Sequence, residues 1–247
     1  MENINENKKR IAEFLIVLAI LISLIHFSSA APVGPVITSI SNETGQGRPG
    51  TLINTTGGSI TTVEFNVTSQ NMKWKAFVGN VSGKIVLSDS MNYSVYDWAL
   101  SFPSGEVYAT RSSNLISWGS ITCSNLTHIQ KEEVEISHIS NPADNISATF
   151  NEKNHDEFHV GTVKINEDQC FSVNTNVNSQ QQDSEFQEVL LYDGTDHQNG
   201  NIVYATMLEQ NTAGYNYRHF DFQMIVPENG LPAWTSATPY YFYVELT

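Results

Sequence analysis

His155 and His159 stand four residues apart in the string His155-Asp156-Glu157-Phe158-His159. At that spacing two imidazoles share a face of a strand or a helix, with carboxylates beside them, which is a donor set for a transition metal. No third ligand is found in register, so a polar loop or strand start is the simpler reading. Oxygen donors gather in Asp193-Gly194-Thr195-Asp196-His197-Gln198-Asn199-Gly200-Asn201. A hard cation such as calcium takes several oxygens of this kind. Asp193, Asp196 and Asn199 are weak calcium candidates, because their spacing is not that of an EF-hand and a tight hairpin loop accounts for the same residues. Asp89, Ser90 and Asn92 form a weaker second set. The sequence has no HExxH, GxSxG, Gly-rich phosphate loop or CxxC pair. No catalytic residue is assigned, a non-enzymatic protein is expected, and no cofactor is expected beyond a weak possibility of calcium.

Two further residue types carry chemistry of another sort. Cys123 and Cys170 are the only cysteines. An even count in an exported chain points to one disulfide, and closing a loop of about 48 residues contributes roughly 4 kcal/mol by chain entropy. Trp234 lies in the loop Pro232-Ala233-Trp234-Thr235, where its ring can stack on a sugar or a partner protein, or pin its own loop. Trp74, Trp98 and Trp118 fall where strand alternation points inward. Glycosylation signals N-x-[S/T] occur at Asn42, Asn54, Asn66, Asn80, Asn92, Asn125 and Asn145, and at no later position. The first half is therefore the expected glycan-bearing half.

The elements that must position these residues begin after a leader. Lys8, Lys9 and Arg10 precede an apolar run from Phe14 to Phe27, and Ser28 and Ala30 take the −3 and −1 places of a cleavage site. Residues 1–30 read as a signal peptide for Sec-type export, with contact to a membrane only through that segment. The run is shorter than the ~20 residues that span a bilayer. The leader is charge-neutral, so the net charge of −14 belongs to residues 31–247. With 26 acidic residues against 12 basic ones, the chain lacks the basic face that nucleic-acid binding requires. Its aromatics, 11% of residues, argue against disorder. The mean hydropathy of −0.24 excludes a multi-span membrane protein.

Strand patterns dominate the remainder of the chain. Residues 31–58 read as an extended N-terminal strand, Pro35 to Ile40, and a Gly-rich loop. Residues 59–247 carry about a dozen short alternating segments parted by turn residues, which is the pattern of an all-β, antiparallel β-sandwich. The strand candidates include Ile60–Thr68, Ser147–Asn151, Phe158–Ile165 and Cys170–Val177. One short helix is expected near residues 124–137, with Ser124 as its cap. Leu126, Ile129 and Val134 would lie inward, and Lys131, Glu132, Glu133 and Glu135 would form its wet side. The strings Val107-Tyr108-Ala109-Thr110 and Val203-Tyr204-Ala205-Thr206 echo one another. They raise a second organisation, two packed sandwich halves at 59–123 and 146–247.

Trp74-Lys75-Ala76-Phe77-Val78-Gly79-Asn80, Tyr96-Asp97-Trp98, Gly105-Glu106-Val107-Tyr108-Ala109-Thr110-Arg111, Asp221-Phe222-Gln223-Met224-Ile225-Val226-Pro227-Glu228 and Tyr240-Tyr241-Phe242-Tyr243-Val244-Glu245-Leu246 resemble strings of uncharacterised, exported archaeal cell-surface proteins. The resemblance spans most of residues 31–247. It implies an envelope location and transfers no catalytic residue. The expected function is a secreted or cell-surface structural or adhesion protein, able to form filaments by strand addition through residues 35–40. Its partners would be envelope proteins, itself or glycans. A carbohydrate-binding module is the competing expectation, with Trp234 as its binding residue.

Overall fold

A computed structural model describes residues 31–247, apart from 45–51, 55, 66–69, 90, 92, 100–103, 115, 140 and 195–199. Fourteen strands are seen among the described residues. They are β1 (Trp74–Gly79), β2 (Lys84–Ser88), β3 (Ser94–Ala99), β4 (Gly105–Thr110), β5 (Thr122–Cys123), β6 (Phe158–Val160), β7 (Val163–Ile165), β8 (Ser172–Asn174), β9 (Gln187–Tyr192), β10 (Ile202–Met207), β11 (Thr212–Ala213), β12 (His219–Phe220), β13 (Phe222–Pro227) and β14 (Tyr241–Leu246). A 3-10 turn spans Trp118–Ser120, and two helices come after it, α1 (Leu126–Glu135) and α2 (Ile146–Thr149). All the strand pairings are antiparallel, as the alternation predicts.

The central sheet runs in the order β14-β4-β10-β9-β5, with β8 also on β9. The two echo strings are neighbours in it: β10 lies against β4 with Ala205 opposite Tyr108 and Tyr204 opposite Ala109. Strands from both sides of the residue 124–145 region thus share one sheet, and the echo falls on two adjacent strands with Tyr108 and Tyr204 on opposite faces. The far edge of β9 is completed by two short pieces placed end to end. β5 pairs at Tyr192 and Leu191, and β8 pairs from Val189 to Gln187. A disulfide joins Cys123 to Cys170 where these pieces meet, with Cα atoms 4.9 Å apart.

Both faces of the sheet are buried. Tyr108, Val189, Leu191, Val203 and Ala205 pack under Ile121, Trp118 and the β6–β7 hairpin residues Phe158, Val160 and Ile165. Ala109, Leu190, Tyr192, Ile202 and Tyr204 pack on the opposite side under Ile129, Ile136, Ile146 and Phe150 of the helical region and Met224 and Val226 of β13. Burial on both faces explains why β9 is wholly buried and reads as an apolar run. The covers are short pieces. The expected strand Phe158–Ile165 breaks into β6 and β7 because Gly161 turns the chain at φ +58°. The expected strand Ser147–Asn151 is instead α2, since the Asn145 carboxamide accepts a hydrogen bond from the Ala148 N–H and starts a helical turn. The expected strand Cys170–Val177 shortens to β8.

β13 shows how side chains can replace a strand. One of its edges pairs with β1. Toward the central sheet, Thr206 Oγ1 donates to the Gln223 carbonyl at 2.9 Å, and the Ile225 N–H donates to Glu188 Oε2 at 2.8 Å. Glu188 is fully buried for that purpose, and burial pushes its carboxyl well above the ordinary range.

Helix α1 differs in detail from expectation. Its cap is Asn125, whose Oδ1 accepts from the His128 N–H at 2.9 Å while His128 Nδ1 accepts from the Asn125 N–H at 3.3 Å. Ser124 is used elsewhere, its hydroxyl donating to the Leu191 carbonyl. The inward face carries His128, Ile129, Glu132 and Glu133, while Leu126 and Val134 are exposed. Two glutamates of the supposed wet side are therefore interior. Asn125→Ala is expected to lower stability by about 1 kcal/mol in urea titrations with an unchanged slope. A loss below about 0.3 kcal/mol would place the cap elsewhere.

Candidate functional site

Two regions collect polar or unpartnered groups. The first is a cleft of about 220 Å³ between α1 and the ends of β4 and β10. Arg111 leaves β4 and sends its guanidinium across this cleft. Its Nε donates to Glu132 Oε1 at 2.5 Å and its Nη2 to Glu132 Oε2 at 2.8 Å, a two-pronged pairing, with a third bond to Glu135 Oε2 at 2.8 Å. Lys131 lies 3.8 Å from Glu135. His128 stacks on Tyr192 with ring centroids 3.6 Å apart. On the neighbouring turn, Glu133 Oε1 accepts from the Ser147 N–H at 2.7 Å and ties α2 to α1. The cleft is thus lined by charged groups that already bind one another. Its chemistry is the docking of a helix onto a sheet.

That cluster was missed by pattern reading, which took the charges of α1 as solvated. One signal was present. Arg48, Arg111 and Arg218 are the only arginines after residue 30 in a strongly acidic chain. Each of the two described ones, Arg111 and Arg218, meets a carboxylate. Buried Glu106, Glu188 and Glu245 were also missed. Their signal is phase, because each lies an even number of residues from inward-facing strand residues.

The second region is the uncovered surface built from residues 33–65 and β2–β3. Val33 exchanges both backbone hydrogen bonds with Val244 on the outer edge of β14, at 3.0 and 2.8 Å. The next such pair along an antiparallel ladder would match residue 35 with 242, and Pro35 has no N–H to give. Pairing stops there, so the expected strand Pro35–Ile40 is only an isolated bridge at Val33. The segment then crosses the surface to Glu43, which sits 3.4 Å from Arg218 and accepts from the Tyr215 hydroxyl at 3.2 Å. Between these two anchors Val36, Ile37 and Ile40 are 89%, 63% and 75% exposed. Ile60, Val63 and Phe65 are exposed as well, and residues 60–65 form no strand. Among the described residues β2 and β3 pair only with each other, and they expose Val86, Leu87, Val95 and Tyr96. A two-stranded hairpin alone is marginal in water.

The structure scatters the other sequence candidates. His155 is buried, with Nε2 accepting from the Cys170 N–H at 2.9 Å and Nδ1 facing the Asp156 carbonyl at 2.8 Å, while His159 is exposed on β6. The two histidines do not form a shared donor set. Asp193 accepts from the Asn201 N–H at 2.5 Å and from its side-chain amide, which closes the β9–β10 hairpin, while Asp196 and Asn199 lie outside the described residues. Among the described residues no group of three or more His, Cys, Asp or Glu side chains converges on one point. Asp89 accepts from the N–H groups of Met91 and Tyr93 in a loop turn, and Ser90 and Asn92 lie outside the described residues.

Asn42, Asn54, Asn80 and Asn125 are exposed, and Asn66 and Asn92 lie outside the described residues. Asn145 is only 3% exposed and caps α2, so a glycan there would require its amide to leave the interior. Trp234 is 41% exposed, on a turn closed by its own N–H to the Leu231 carbonyl. Trp74 and Trp118 pack against the core, and the Trp98 side chain lies outside the described residues, as do residues 1–30. Among the described residues no helix is long and apolar enough to cross a membrane. No protein-family model, curated protein or solved structure matches the chain, so the strap of residues 34–42 and the β2–β3 hairpin stand on their own chemistry as the candidate interaction surface.

Proposed function

We propose that this protein is an exported, non-enzymatic structural or adhesion component of a cell envelope, of the archaeal type its strings resemble, and that it joins its neighbours by strand addition. The observation that carries this reading is the strap between Val33 and Glu43. It holds β-branched residues in water beside a finished core, anchored among the described residues by the Val33 bridge and, at Glu43, by the exposed Arg218 ion pair and the Tyr215 hydroxyl. Exposed ion pairs of this kind contribute about 0–1 kcal/mol, so the Glu43 end detaches readily. A strand that its own sheet does not cover is suited to the open edge of another. The exposed sequons at Asn42, Asn54 and Asn80 lie in the same first part of the chain, where a glycan would solvate the remaining surface.

Size-exclusion chromatography and negative-stain microscopy of residues 31–247, beside a variant lacking 31–45, test the reading. Multimers or filaments from the longer chain and monomers from the shorter, with the same melting behaviour to within a few degrees, are the expected result. Assemblies that persist without residues 31–45, or none from either form, would refute strand donation by this segment.

A further inference from the structure

Glu106 and Glu245 stand opposite each other in the β4–β14 pairing, and both are buried, at 6% and 2% exposure. Their surroundings are unequal. Glu245 receives the Gly161 N–H on both oxygens, at 3.0 and 2.9 Å, and the Tyr108 hydroxyl on Oε2 at 3.1 Å. Glu106 keeps Oε2 buried without a hydrogen-bond partner. Buried oxygen that lacks donors favours the protonated carboxyl, and neighbouring carboxylates in apolar surroundings do not both ionise.

No cation acts on Glu106 or on the Tyr108 hydroxyl beside it among the described residues. β4 contributes Tyr108, β14 contributes Tyr243, β10 contributes Met207, and the β6–β7 hairpin contributes the Gly161 N–H and the His159 carbonyl. The cationic side chains of that hairpin face outward: Lys164 binds Glu157 at 2.9 Å, and His159 acts on the same carboxylate.

We infer that the buried pair carries a single proton, held on Glu106, and that this proton lets the edge strand β14 close against β4 while the Glu245 carboxylate holds the β6–β7 turn. This latch also secures Val33, which pairs with the outer edge of β14. It does not depend on the proposed assembly. Burial, and then the Glu245 charge, push the Glu106 carboxyl up to about 8, with the Tyr108 hydroxyl pulling the other way. When β14 opens, Glu106 meets water and returns to its ordinary value of 4.5. Between those two values the closed state holds one proton more than the open state. Opening therefore becomes about tenfold easier for each pH unit gained across that window, and levels off above it. The latch is shut in acid and loosened toward alkali.

Hydrogen exchange of the peptide covering Tyr240–Thr247, corrected for intrinsic rates at pH 5.5, 6.5 and 7.5, reads the latch directly. Protection in the native sequence is expected to fall about tenfold per unit. Glu106→Gln is expected to flatten that slope, while Glu188→Gln, on the other face of the sheet, leaves it in place. An unchanged slope in Glu106→Gln, or a slope that vanishes in Glu188→Gln instead, would overturn the inference. Should Glu106→Gln fail to fold, Glu245→Gln removes the neighbouring charge and is expected to bring the plateau to lower pH. A plateau that stays put then refutes the single proton of the pair.

Discussion

Reduction of the Cys123–Cys170 bond is expected to lower stability by about 4 kcal/mol, the chain-entropy value for cysteines 47 positions apart. What that loop contains makes the loss consequential. It begins on β5, runs through α1 and α2 on one face of the central sheet, crosses to the β6–β7 hairpin on the other, and returns at the start of β8. The helical part of one cover and the hairpin part of the other both lie within this closure. The closure lies where two short strands share the edge of β9, and neither has enough ladder bonds to hold that edge alone. His155 adds a local tie through the Cys170 N–H. Urea titrations of the oxidised protein and of a Cys123→Ala/Cys170→Ala double variant measure the effect. The expected result is a transition shifted by about 4 kcal/mol, followed by tryptophan fluorescence because Trp118 packs in the same layer. A shift under about 1 kcal/mol would mean that the covers are held by packing and the bridge is incidental.

The disulfide was legible in the sequence because it needs only a parity and a compartment. So were β9, β10 and β14, whose side chains meet the core on both faces and therefore appear as nearly unbroken apolar or aromatic runs. The Val-Tyr-Ala-Thr echo was visible too, but its meaning required the pairing. The two strings lie on adjacent antiparallel strands, yet Tyr108 faces one side of the sheet and Tyr204 the other, so matching letters do not mark matching positions. The buried glutamates were hidden for a different reason. Polarity alone places Glu132, Glu133, Glu188 and Glu245 outside, and only their partners bring them in: the Arg111 guanidinium, the Ser147 N–H, the Ile225 N–H and the Gly161 N–H. Those partners lie between 14 and 84 residues away, beyond any local pattern. The strap failed as a strand because of one missing donor at Pro35, which alternation of apolar residues does not register.

The same reasoning gives Arg111→Ala an expected cost of about 2–3 kcal/mol, below the range for a fully buried ion pair because Arg111 keeps a quarter of its side chain exposed. The loss comes chiefly from what is left behind. Glu132 is buried at the inner face of α1 and takes two of its hydrogen bonds from Arg111. Without the guanidinium its charge sits beside Tyr204 and Tyr240, whose hydroxyls are already pushed up by burial. The helix then either protonates Glu132 or lifts away, and lifting uncovers Ile129 and Ile136 from the sheet. Arg111→Lys keeps the charge but loses the planar fork, so its cost should fall between wild type and Ala. The pair Arg111→Met with Glu132→Leu removes both charges together. It is expected to recover most of the loss, since an apolar contact of similar volume carries no stranded ion. A double-mutant cycle in urea at two salt concentrations reads these effects. The coupling should exceed about 1 kcal/mol and change little with salt, because a part-buried pair is poorly screened. Were Arg111→Ala to cost less than about 1 kcal/mol, Glu132 would have another way to satisfy its charge, and the docking of α1 would have to be assigned to Ile129, Ile136 and the Glu133–Ser147 tie instead.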